Sequence, residues 1–239
     1  MGATPDAYAG AADAIATLML LLEFGMLRQS LIRDQVRLYA AQSALISVLA
    51  IVIGAERGLA DLYALAGLSA ALKVVAVPYV MRRLLLRPLA RGQGSPPDGG
   101  WRTGEETPGV AGSYTLGVAG AVLVCLALAA FGFFAFGALH VSSRVAPATA
   151  LSIAAAMVFV AFGLMIVRRD VASQSIGFFS LENAISLAAL VVAAGLPLIL
   201  ETAFLFDLLV AVVVFGMLIR AHHSQAESLS TADLTKLRG

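Results

Sequence analysis

SLENAISLAALVVAAGLPLILETAFLFDLLVAVVVFGMLIR, residues 180–220, decides how this chain is read. Its two apolar runs meet around Pro197, and each is part of a segment close to the ~20 residues that a helix needs to cross ~30 Å of hydrocarbon. Each run carries an acid near mid-membrane, Glu182 in the first and Asp207 in the second. A carboxylate at that depth costs several kcal/mol unless it is paired, hydrated or protonated. The pair therefore reads as part of a proton path.

The composition around this stretch agrees with a membrane setting. Of 239 residues, 60% are apolar and only 13% charged, too oily for a soluble domain of this length. Seven spans are predicted, at 11–27, 36–54, 60–81, 113–138, 147–167, 172–194 and 197–219, so the expected fold is an all-α, polytopic membrane protein with about seven transmembrane helices. The first positive charge, Arg28, follows the first apolar run instead of preceding it, which argues against a cleaved signal peptide. The lone cysteine, Cys125, lies within the fourth span. It excludes a disulfide and a cysteine-held cluster, and it is expected to be a small buried apolar residue.

Basic residues orient the chain. Thirteen of sixteen, including Arg28, Arg33, Arg37, Arg82, Arg83, Arg168, Arg169 and Arg220, fall on one side. Arg57 and Arg144 fall on the other, and Lys73 lies within a span. The positive-inside rule then places the N-terminus outside and the C-terminus in the cytoplasm. Residues 91–112 are rich in Gly and Pro and form a cytoplasmic linker. The linker's charges nearly cancel, so no nucleic-acid partner is indicated, and Trp101 within it is read as an interfacial or contact residue.

A shift of 140 residues lays Arg28 on Arg168, Gln42 on Glu182 and Ser43 on Asn183, matching AAQSALISV to SLENAISLA. Spans one to three and five to seven then read as two parallel three-helix copies, related by an axis along the membrane normal and joined by one spacer helix. The domain expectation follows: a first membrane unit at 1–90, the linker at 91–112, a spacer helix and outer loop at 113–146, a second unit at 147–220 and a cytoplasmic tail at 221–239.

Glu182 lies 12 residues beyond Asp170, about 18 Å along a helix and so near the bilayer centre. Ser175 and Ser186 share its face at i−7 and i+4, a strip able to order water. Asp207 is 10 residues past Pro197, about 15 Å in from the outer face and at nearly the same depth. Glu201 is within two turns of the outer surface and either joins the relay or reaches interfacial water. Lys73 is too far from the cytoplasmic arginines to snorkel easily, so it is either a relay member or the counter-charge for an acid such as Glu23. Glu23, about one turn from Arg28, could equally be satisfied by that arginine. Gln42, matched to Glu182, cannot take up a proton in the ordinary pH range. His222 and His223 read as interfacial, and His140 has no visible partner, so no metal site is expected.

Residues 151–220, through VRRD at 167–170, SLENAIS at 180–186 and FDLLVAVVV at 206–214, resemble subunit K of respiratory complex I (the 4L subunit). Chain length, the seven spans and the sequence at 180–220 are more similar still to component E of hydrogenase-4. The resemblance implies a bacterial inner-membrane subunit of a complex I-like assembly, beside antiporter-like and quinone-site-like membrane subunits, supporting proton translocation. It matches Glu182 to the second-helix glutamate of subunit K and Asp207 to the third-helix one. Asp207 is one methylene shorter than the family's glutamate there, and Glu201 competes for that role. No nucleophile triad, phosphate loop or cofactor motif occurs, so any redox label belongs to the complex and not to this chain. Two rivals share the sequence features: a small subunit of a multisubunit cation/proton antiporter, and a membrane scaffold whose acids are static hydrogen-bond partners.

Overall fold

A computed structural model describes residues 5–82, 117–138, 148–168, 170–192 and 216. The described residues are helical, with no β-sheet among them. Helix α1 (Pro5–Arg28) is followed by α2 (Ile32–Arg57) and α3 (Ala60–Ser69). The α3 helix continues through a π-helical stretch, Ala70–Ala76, so that the apolar run extends from Ala60 to Arg82. Then come α4 (Gly117–Ala138), α5 (Ala148–Val167) and α6 (Val171–Val192). These make six helices long and apolar enough to cross a membrane among the described residues. The expected seventh span, at 197–219, lies outside them, as do Trp101, His140, His222 and His223.

Local signals set the ends of these helices. Gly58 adopts φ 64°, and its N–H bonds Gly54 O. This left-handed cap is conformationally cheap only for glycine, and it turns α2 sharply into α3. At the start of α6, Asp170 Oδ1 accepts the Ser173 N–H at 2.7 Å. That bond satisfies one of the donors a helix N-terminus leaves open.

Helices α1, α2, α6 and α5 close a ring in which each packs on the next, with α3 outside against α2 and α4 outside against α5. Helices α2 and α6 run in the same direction, since Gln35 meets Ser173 and, further along, Gln42 meets Ser180. Thr149 bonds Asp13 near the start of α5 and α1, and Arg168 reaches Leu27 at their other end, so these two are also parallel. The two hairpins thus lie side by side, with helices of like direction adjacent. Arg28, Arg33, Arg37 and Arg82 are exposed together at one end of the bundle. Arg168, matched to Arg28 by the sequence shift, is buried instead.

Small residues permit the close approach of α4 to α5. A Cβ on Gly132 would stand 2.8 Å from Ala155 O and 2.7 Å from the Phe159 ring, and one on Gly163 would meet Cys125 Sγ at 2.8 Å. Cys125 is accordingly a buried, free thiol packed as a small apolar group. Close approach of this kind occurs at Gly163, whereas Gly67 and Gly117 face open space. Because backbone cannot yield as a side chain does, Gly132→Ala is expected to destabilise the bundle by about 1–3 kcal/mol. Thermal unfolding in detergent, followed by helical circular dichroism, measures this.

Candidate functional site

The site begins at Lys73, in the middle of the π-helical stretch. A π turn inserts a residue into the α register, a feature that recurs at functional positions in helices. Here the exposed Ala71 and Val75 flank the buried Lys73, which is 1% exposed and is the buried residue of the stretch. An ammonium there is costly unless its N–H groups are met. Three acceptors from α6 meet them: Glu182 Oε1 at 2.5 Å, Ser186 Oγ at 3.1 Å and Asn183 Oδ1 at 3.4 Å. Positions 182, 183 and 186 share one helix face, which is why a single side chain reaches all three. Ser186 Oγ in turn donates to Glu182 Oε1 at 3.3 Å.

This corrects two expectations. Lys73 is the counter-charge of Glu182 and not of Glu23, because the π-helical stretch lies against α2 and aims its lysine at α6. Nor does Arg28 satisfy Glu23. Arg28 points to the exposed end of α1, while Glu23 is turned inward, fully buried, and accepts the Ser180 hydroxyl at 2.8 Å through Oε1.

From Glu23 the polar seam continues across the bundle. Ser180 Oγ lies 3.1 Å from Gln42 Oε1, and Asn183 Nδ2 donates both to Gln42 Oε1 at 3.1 Å and to Ser43 Oγ at 2.9 Å. Gln42 Nε2 points to Met19 O at 3.4 Å. A hydrogen-bonded series therefore joins Glu23 to Lys73 and Glu182 by way of Ser180, Gln42 and Asn183. Glu23 Oε2 and Glu182 Oε2 are buried and have no hydrogen-bond partner among the described residues. Each acid thus has one oxygen engaged and one that meets no polar group among the described residues.

The two ends of this series have different chemistry. Lys73 and Glu182 are close enough to exchange a proton directly. Hydroxyls can also pass protons, but carboxamides hold orientation without gaining or losing a proton in the ordinary range. Gln42 and Asn183 therefore separate the two acids protonically while connecting them by hydrogen bonds.

Of the residues singled out from sequence, the fold brings Lys73, Glu182 and Ser186 into direct contact, with Glu23 at the far end of the same seam. Ser175 is buried on α6 two turns before Glu182. Asp207 and Glu201 lie outside the described residues. Sequence reasoning passed over Ser180 and treated Gln42 only as a lost glutamate. Both are central to the seam, and the signal that could have found them was the run of polar residues on α2 and α6 at matching positions.

No protein-family profile matches the chain, and no solved structure matches it. The chain is 38% identical over 89 residues to the uncharacterised protein Rv0085 of Mycobacterium tuberculosis (strain ATCC 25618 / H37Rv). That match covers 37% of this chain and spans 39% of the length of the relative.

Proposed function

We propose that this chain is a membrane-arm subunit of a complex I-like, hydrogenase-4-type energy-converting assembly, in which buried carboxylates support proton translocation. The observation that carries this reading is the Lys73–Glu182 pair, a buried lysine 2.5 Å from a half-buried glutamate within membrane-length helices. Ionisable groups at that depth belong by default to ion or proton pathways. Glu182 is the central carrier, Lys73 its exchange partner, Glu23 a second buried acid, and Asp207 or Glu201 the continuation on the returning span. Ser186 orders the pair, and Ser175 extends the same polar face. The partners are antiporter-like and quinone-site-like subunits in a bacterial inner membrane, with the N-terminus outside and the C-terminus in the cytoplasm.

An internal repeat in the membrane unit is part of this proposal. Gln35 Nε2 reaches back six residues to Gln29 O, and Gln174 Nε2 reaches back six residues to Arg168 O, both at 2.9 Å. The same bond made twice, 139 residues apart, supports related turns in the two hairpins, one residue out of step with the 140-residue shift read from sequence.

A second reading has its own observation. Three acceptors for three ammonium hydrogens is also what a static ion pair would need, so a scaffold role competes with the relay. Glu182→Gln decides between them. It keeps an acceptor for Lys73 beside Ser186 and Asn183 while removing the titrating group, and complexes that assemble with it are expected to show proton uptake lowered about tenfold or more in vesicles. Full uptake with Gln at 182 would establish the scaffold. Gene neighbours encoding cation/proton antiporter subunits with no hydrogenase-like subunits would replace the redox complex by an antiporter.

A further inference from the structure

The orientation of the polar seam follows from one charge. Lys73, as an ammonium, can only donate, so Asn183 must present Oδ1 to it and Nδ2 to the opposite side. Gln42 must then meet Nδ2 with its own oxygen, and its amide hydrogens turn to Met19 O. This leaves Ser180 in an unusual position. Its hydroxyl has one proton and two acceptors, Glu23 Oε1 at 2.8 Å and Gln42 Oε1 at 3.1 Å. It cannot serve both fully.

We infer that Ser180 is a hydroxyl switch coupling the protonation of Glu23 to the Lys73–Glu182 pair, with no proton passing between the two acids. When Glu23 is a carboxylate, Ser180 donates to it, and Gln42 Oε1 is left to Asn183. When Glu23 is protonated, Oε1 is the oxygen whose new O–H finds an acceptor among the described residues, so it donates to Ser180 Oγ, and the Ser180 hydrogen turns onto Gln42 Oε1. No bond between heavy atoms changes. Asn183 now shares its acceptor, becomes a poorer acceptor at Oδ1, and Lys73 leans more strongly on Glu182. Hydrogen bonds in series reinforce or weaken one another in this way when water is excluded.

The groups facing this seam come from five elements. They are Glu23 on α1, Tyr39 on α2, Lys73 on the π-helical stretch, Cys125 on α4 and Glu182 on α6. Helix α5 has no titratable side chain between Ala148 and Val167. Tyr39 packs at a tilt against Phe179, ring centroids 5.7 Å apart, which adds packing between α2 and α6 close to the switch. Ser180 is a positioning residue in this scheme, since it acts on Lys73 through Gln42 and Asn183. The coupling rests on the proposed function only in taking Glu182 to titrate.

The test is infrared titration of the full chain in lipid nanodiscs, which needs no translocation assay. The carboxyl band of Glu23 is identified by its loss in E23Q, and the side-chain amide band of Gln42 by its loss in Q42M. The amide band should shift in step with Glu23 protonation. That shift should vanish in S180A and return in S180T, which restores the hydroxyl. E23Q, imitating the neutral acid, should lower the proton affinity of Glu182 about fivefold, the lower range of ordinary coupling between sites. Most of this change should disappear in the S180A background. If S180A does not fold, Q42M removes the second acceptor instead and should abolish the E23Q effect on Glu182. An amide shift retained in S180A, or an undiminished E23Q effect in either background, would mean that the electric field across space carries the coupling, and Ser180 would not be a switch. Loss of proton uptake in Glu182→Gln vesicles bears on the proposed function and leaves this result untouched.

Discussion

Lys73→Met is expected to destabilise the helix bundle by up to about 3–5 kcal/mol, the cost of removing one partner from a fully buried ion pair, reduced by the 15% exposure of Glu182. Methionine matches the length and apolar stem of lysine, so the loss comes from charge and not from volume. It strips Glu182 of its cation and leaves Asn183 Oδ1 without the ammonium it faces. Glu182 has no other cation among the described ion pairs. The double variant Lys73→Met/Glu182→Leu should recover most of the loss, since a pair of buried charges can be replaced by apolar groups at little cost. Denaturant unfolding in detergent micelles, run as a double-mutant cycle, reads this directly. A single-variant loss below about 0.5 kcal/mol, within the range of an ordinary surface change, would show that the ion pair does not hold the bundle.

Arg168→Ala should cost about 3 kcal/mol for a different reason. Arg168 is buried where α5 ends, and its Nη2 donates to Leu27 O at 2.8 Å and also to Gln29 O. These carbonyls belong to the open C-terminal turn of α1, where a cation also opposes the helix dipole. Hydrogen bonds to a charged donor contribute about 1.5–3 kcal/mol each, and alanine removes both. Arg168→Lys should recover only part of the loss, because the shorter lysine carries its ammonium less far than arginine carries Nη2 toward the two oxygens. Hydrogen exchange at the α1–α2 turn should rise in both variants. An unchanged exchange rate there would overturn the assignment of Arg168 as the cap.

The two variants separate roles that the sequence merges. Lys73 and Arg168 are both buried bases, but one faces a titrating acid and the other faces backbone carbonyls. Only the first belongs to the proposed relay, so Arg168→Lys, where it folds, should retain proton movement that Glu182→Gln loses.

Much of the architecture was legible from residue order. The six helices with described structure fall where apolar length places spans, with ends shifted by a few residues, because hydrophobic length is a property of a contiguous segment. The turn at Gly58 and the start of α6 at Asp170 likewise depend on neighbours only a few positions away. The burial of Cys125 was foreseen on similar grounds. The break in α3 was not, since its seven π-helical residues, AALKVVA, have no composition that distinguishes them from an ordinary helix.

The site was legible in its members but not in its pairing. Glu182, Lys73 and Glu23 each stand out because an ionisable group inside an apolar run must have a reason to be there. By itself, then, the sequence determined that the chain is built of membrane-length helices and which buried charges they contain, since both are set by local hydrophobicity and the cost of desolvating an ion. The tertiary structure alone decided that Lys73 answers Glu182, that Glu23 answers Ser180, and that two amides join them. Those choices depend on the rotation imposed by a π turn and on contacts between helices more than a hundred residues apart, neither of which leaves a periodic trace in the chain.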